Sequence, residues 1–114
     1  MTNVEEAVKR AVSPLFPCEA GTYTGTALEY VTWTVYQLPQ VYGEHGPAAA
    51  RYPVMVHYWL PHGKNPNPGK LRISKALFDQ GFTWPSVTNA SDGDGQHYVF
   101  ECNYVNGGGV YGQT

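Results

Sequence analysis

The sequence predicts a β-rich α+β domain, and three observations carry that prediction. Nine tyrosines, three tryptophans and four phenylalanines share a 114-residue chain with thirteen glycines and nine prolines, a composition of strands and turns. The segment from Val4 to Val12 repeats its apolar residues at helical spacing. Several later segments alternate side chains with the period of two that belongs to strands. The fold expected is a helix, an antiparallel-rich sheet of about five strands, and a second helix between the third and fourth strands. A chain of this length makes one domain and buries over ~60% of the surface its unfolded form exposes. Residues 1 to 107 are assigned to that domain, and 108 to 114 to a flexible Gly-rich tail.

In the first element Val4, Ala7, Val8, Ala11 and Val12 form one face, with Glu5, Glu6, Lys9 and Arg10 pointing away. Thr2 and Glu5 have the spacing of a capping box, which satisfies amides that the first turn leaves unpaired. Pro14 disfavours helical geometry at Ser13 and should stop the helix there. Two strands are expected next, Cys18 to Thr24 and Tyr30 to Leu38, connected through Gly25. In the second, Val31, Trp33 and Val35 alternate with Thr32, Thr34 and Tyr36, so one face goes to the core. A third strand runs from Tyr52 to Leu60. Val54, Val56, Tyr58 and Leu60 alternate there with Met55, His57 and Trp59, so both faces are apolar and the strand is central or covered.

Between the second and third strands lies LPQVYGEHGPAAAR, too long for a simple hairpin turn and poor in charge. Long connectors of this kind in compact domains are functional or disordered. The second helix is expected from Gly69 to Gln80, with Gly81 as its left-handed stop. Ile73, Ala76 and Leu77 share one side, whereas Leu71 and Phe78 lie nearly opposite. A helix apolar on two sides is buried between layers or packs on a neighbouring subunit.

The stretch GFTWPSVTNASDGDGQHYVFE offers a metal reading. With Ala90 as the first position of a calcium loop, Asp92, Asp94, Gly95 and Glu101 fall at the third, fifth, sixth and twelfth. The first position then carries a methyl group instead of a carboxylate, and HYVFECNYV alternates like a strand where the motif needs a helix. Asp92 to Gly95 is therefore read as hairpin-turn chemistry, in which Asp and Gly tolerate positive φ angles.

No other constellation points to catalysis, a cofactor or a metal. His45, His57, His62 and His97 lack HxxxH or HExxH spacing, and only His57 and His62 are near each other in sequence. GxSxG and P-loop patterns are missing, and the Gly-rich NGGGVYGQT reads as a terminal run and not as a phosphate cradle. Cys18 and Cys102 sit among apolar strand neighbours, where a thiolate is disfavoured, and are read as free. A hydrolase would need a base and a nucleophile within hydrogen-bond reach, and no such pair is evident. A net charge of about −2 gives no electrostatic reason for a nucleic-acid partner. No apolar run approaches a membrane span, and the amphipathic start is unlike a cleaved export signal.

The order of elements, together with YTGTALEYVTW, VMVHYWLP and KALFDQGFTWPSV, resembles the tail-completion proteins of long-tailed bacteriophages, also called tail-terminator or tail-to-head joining proteins. The resemblance covers roughly residues 3 to 105. Its most telling piece is ALFDQGFTWPSV, a helix running through its Gly stop into an aromatic strand, followed by an acidic turn and a strand like HYVFE. The Gly-rich ending and the Pro-rich loop after the third strand are peculiar to this chain.

The resemblance implies a non-catalytic virion protein at the head-proximal end of the tail, made in the host cytoplasm. Its copies would form a hexameric ring, with monomers in isolation, that ends tube growth. Its partners would be the tail tube protein and a head-completion or connector protein, with no membrane and no specific nucleic-acid sequence. Such a subunit must bury surface against several neighbours, where aromatics are enriched and Lys and Glu depleted. The interface is accordingly placed at Tyr42, Glu44, His45 and Arg51 in the long connector, and at Leu71 and Phe78 on the second helix. The alternative is a small β-rich ligand-binding module without catalysis, which would be recognised by a concave pocket with a few convergent polar groups.

Overall fold

The computed structural model describes residues 4–36, 42–43, 46–47 and 52–105. Helix α1 spans Val4–Val12, and its buried side chains are Ala7, Val8, Ala11 and Val12, the face set by the sequence spacing. Ser13 still donates its amide to the Lys9 carbonyl, and the helix stops before Pro14 as expected. Thr2 of the capping box lies outside the described residues.

Strand β1 covers Cys18–Ala20 and β2 covers Tyr30–Val35, and the two run parallel. The first strand is thus shorter than the expected stretch to Thr24. Gly21, at φ 76°, takes the chain off the sheet. The Glu19 carboxylate then accepts bonds from the Thr24 amide and hydroxyl, which holds the following residues in a turn. A loop from there returns the chain to Tyr30 in the same direction. β2 ends at Val35, and Leu38 lies outside the described residues.

The expected connector is more ordered at its middle than a structureless loop. Strands β3 (Tyr42–Gly43) and β4 (Gly46–Pro47) form an antiparallel ladder, pairing Tyr42 with Pro47 and Gly43 with Gly46. β2 pairs antiparallel with β5 (Tyr52–Leu60), for example Val35 with Val54. The residue numbers of each pair add to one constant in both ladders, so β3 and β4 keep the register that β2 and β5 set. Glu44, His45 and Arg51 lie outside the described residues, as does the tail from 108 to 114.

Helix α2 covers Asn67–Asp79, and it begins before the expected Gly69 because Pro68 suits a first turn, where no intrahelical amide is needed. Gly81, at φ 103°, ends it as predicted, and Phe82 donates its amide back to the Leu77 carbonyl. Strand β6 (Ser86–Asn89) pairs antiparallel with β7 (Gln96–Tyr104). The main sheet has the order β1-β2-β5-β7-β6, mostly antiparallel, with α2 inserted between the third and fourth of its strands in sequence. This is the α+β architecture expected, and β5 is central.

Both helices contribute to one core against a single face of the sheet. Val31 and Trp33 of β2, Val54, Val56, Tyr58 and Leu60 of β5, and Tyr98, Phe100 and Cys102 of β7 meet Val8, Val12, Ile73 and Leu77 there. α2 comes so close at Gly69 that a Cβ would overlap the Tyr58 hydroxyl and ring. Tyr58, only 1% exposed, donates its hydroxyl to Glu29, which also pairs with Lys64. Burial opposes ionisation of Glu29, but the bonds from Lys64 and Tyr58 outweigh it and hold the carboxyl below its usual range.

Candidate functional site

Three surfaces could carry function. The first follows from the two-sided apolar pattern of α2. Ile73 and Leu77 are buried against the sheet, so Leu71 and Phe78, two turns apart on the far side, remain 63% and 54% exposed. The reversal at Gly81 brings Trp84 back beside the helix, where its ring meets Phe78 edge-on at 5.7 Å while remaining 53% exposed. Lys75 and Asp79 pair with each other on the same helix.

This flank continues into an open strand edge. All four residues of β6 are exposed, including Val87. Ala90 donates its amide to the His97 carbonyl, so by antiparallel alternation Ser86 and Thr88 also face β7. The backbone groups of Val87 and Asn89 consequently point away from the sheet. The exposed side of α2, Leu71 and Phe78, was legible in the sequence from helix spacing. Trp84 and Val87 were missed, because only the pairing of β6 shows that it is an edge.

The second surface is the sheet face opposite the helices. Strand register places Tyr30, Thr32, Met55, His57, Trp59, His97 and Val99 there. Trp59 stacks on His97 with centroids 3.7 Å apart and planes 11° apart, and donates its indole N–H to the Thr32 hydroxyl. The stack extends across β2 to Tyr30, whose ring stacks in turn on Tyr23 at 4.2 Å. His57 Nδ1 and His97 Nε2 are 2.8 Å apart, sharing one hydrogen bond. Burial lowers the pKa of both imidazoles, and at His97 the neighbouring His57 lowers it further while Asp92 opposes. Sequence proximity had put His57 near His62; the antiparallel register of β5 and β7 brings it to His97 instead.

The third surface is a cleft of about 310 Å³ at one end of that stack. Tyr30, Trp59, Leu28 and Pro61 form its apolar walls, and Asp92, Asp94 and Gln96 supply polar groups. The Asp92 to Gly95 segment is a turn, as read from the sequence, closed by a bridge between its two ends. Asp92 Oδ1 accepts the Asp94 amide at 2.9 Å. Its glycines, however, do not adopt the positive φ expected of them. At Gly95 the backbone approaches closely instead, since a Cβ there would sit 3.2 Å from the Leu60 carbonyl, a tight contact.

Among the described residues, no group of three or more His, Cys, Asp or Glu side chains is placed to hold a metal ion, and no helix is long and apolar enough to cross a membrane. Both cysteines are free thiols. Burial pushes Cys102 up to about 12 and is the main cause that raises Cys18, so both are neutral near pH 7. Neither a protein-family model nor a curated protein sequence matches this chain.

Proposed function

We propose that the protein is a structural subunit of a bacteriophage tail, which closes the tube and joins it to the head connector as a ring, without catalysis. The observation that carries this reading is the flank of Leu71, Phe78 and Trp84, three large apolar side chains more than half exposed beside an open strand edge. Clusters of exposed large apolar groups mark interaction surfaces. The main sheet also ends in two different strands, β1 and β6. Contact of one edge region with the other would be heterologous, and such contacts generate rings when their rotation closes. Neutral thiols agree with a role through surface complementarity.

Light scattering across protein concentration, with and without purified tail tubes, tests the reading. Wild type should assemble on the tubes or at high concentration. Phe78→Asp should stay monomeric with unchanged thermal stability, because an exposed substitution spares the core but leaves an unpaired charge in a desolvated contact. Assembly by Phe78→Asp at wild-type concentration would remove the flank from the interface. A second reading, a ligand-binding module without catalysis, is favoured by the cleft lined by Tyr30, Trp59, Asp92 and Asp94.

A further inference from the structure

We infer that β1 of one copy pairs with β6 of a second copy, so that the main sheet runs on between subunits and the second copy's Phe78 and Trp84 close over a cleft beside Trp33. This pairing presupposes the ring reading and specifies its contact.

Main-chain groups on both edges are free to make it. Val31 donates its amide to the Pro17 carbonyl and Gly21 donates its own to the Trp33 carbonyl, so by parallel alternation Glu19 also faces β2. Cys18 and Ala20 therefore turn their amides and carbonyls to the outer side of β1, where no described strand lies. Only the Ala20 carbonyl is engaged there, by the Thr22 amide. On β6 the outward groups are those of Val87 and Asn89, and open edges of this kind are templates for another chain. The directions match as well. β1 runs with β2, β6 runs with β5, and β2 and β5 are antiparallel, so two copies set edge to edge in the same orientation meet in an antiparallel ladder. Ala20 then lies opposite the second copy's Val87, and Cys18 opposite its Asn89.

The side chains agree with this register. Ala20 pairs with Trp33 and Val87 with Phe100, and both aromatic residues belong to the core under the helices. Ala20 and Val87 thus share a face, and the helices of both copies lie on one side of the joined sheet. On that side a hollow meets a projection. Beside β1 is a cleft of about 480 Å³ that Trp33 and Ala20 help to line, and the Trp33 indole N–H is buried with no acceptor among the described residues. Beside β6 stand Phe78 and Trp84, each more than half exposed. Charge favours the same match, because Glu5, Glu6 and Glu19 outnumber Lys9 around the cleft. Lys75, one turn from Phe78, is held only by an exposed pair with Asp79, which binds it weakly. Pairing of β6 with a second β6 would close a dimer and leave β1 and its cleft uncovered.

The test is oxidative cross-linking of full-length variants in a Cys18→Ala background, at concentrations or on tail tubes where wild type assembles. Ala20→Cys combined with Val87→Cys should give a ladder of covalent multimers on a non-reducing gel, since the ~5.5 Å between Cα atoms of a hydrogen-bonded pair is within disulfide reach. Either single variant should give about tenfold less product, as should Ala20→Cys combined with Thr88→Cys, whose thiol faces the other side of the sheet. Val87→Pro loses only an outward amide, so it should keep its melting temperature while assembling about tenfold more weakly. Assembly of the Ala20→Cys, Val87→Cys variant without a ladder, an equal ladder from Thr88→Cys, or dimers from Val87→Cys alone would overturn this pairing and leave the tail role standing. Wild type that stays monomeric even on tubes would remove both.

Discussion

Tyr58 and Gly69 illustrate how single residues fix this fold. The tyrosine is buried beneath α2, its hydroxyl held by Glu29, and only the missing side chain at Gly69 lets the helix approach it. Alanine is the better helix former by ~1 kcal/mol, yet the overlap with a buried ring costs about 1–3 kcal/mol. Gly69→Ala should therefore lower the melting temperature, whereas Gly93→Ala, which meets nothing within 4 Å, should be neutral or slightly stabilising. Equal melting temperatures for the two variants would refute the close-approach account.

The histidine pair gives a second residue-scale expectation. Both imidazoles have folded pKa values below the ordinary value near ~6.5. An unfolded chain then takes up protons that the folded one resists, so stability present near neutral pH is lost as pH falls from ~6.5 through the folded values. Thermal melts between pH 7 and 5 should show a decline that His57→Phe flattens, with Asp92 and Glu101 remaining as the nearby acidic groups. An unchanged slope in that variant would assign the decline elsewhere.

Among the elements, the Asp92 to Gly95 turn is the one most open to a competing account. Its two carboxylates belong to a hairpin between β6 and β7 and not to a loop leading into a helix. Calorimetric titration with calcium should show no saturable binding. A micromolar affinity abolished by Asp94→Ala would restore the metal reading. Helices and central strands were legible because their periodicities are local: the α1 face, the Gly81 stop and the alternation in β5 all lie within one segment. Pairing was less so. The parallel run of β1 beside β2 is a pairing across an intervening loop, and the meeting of His57 with His97 depends on a register between strands forty residues apart. The candidate site divides the same way. Leu71 and Phe78 follow from helix spacing, whereas Trp84, Val87 and the cleft under Trp59 exist only once the chain is folded.

For the whole molecule, the arrangement is a sheet covered by helices on one face, with an aromatic opposite face, an apolar flank and two unlike edges. A tail tube whose subunits present the same surface at each step continues until a different component masks that surface. A ring of this protein would do so through shape and apolar contact, and single replacements of Cys18 or Cys102 should leave tail length unchanged. The most direct measurement is electron microscopy of particles from a phage lacking this gene. DNA-filled heads without attached tails, beside tubes of undefined length, are the predicted result. Normal tails and infectious particles would contradict the account.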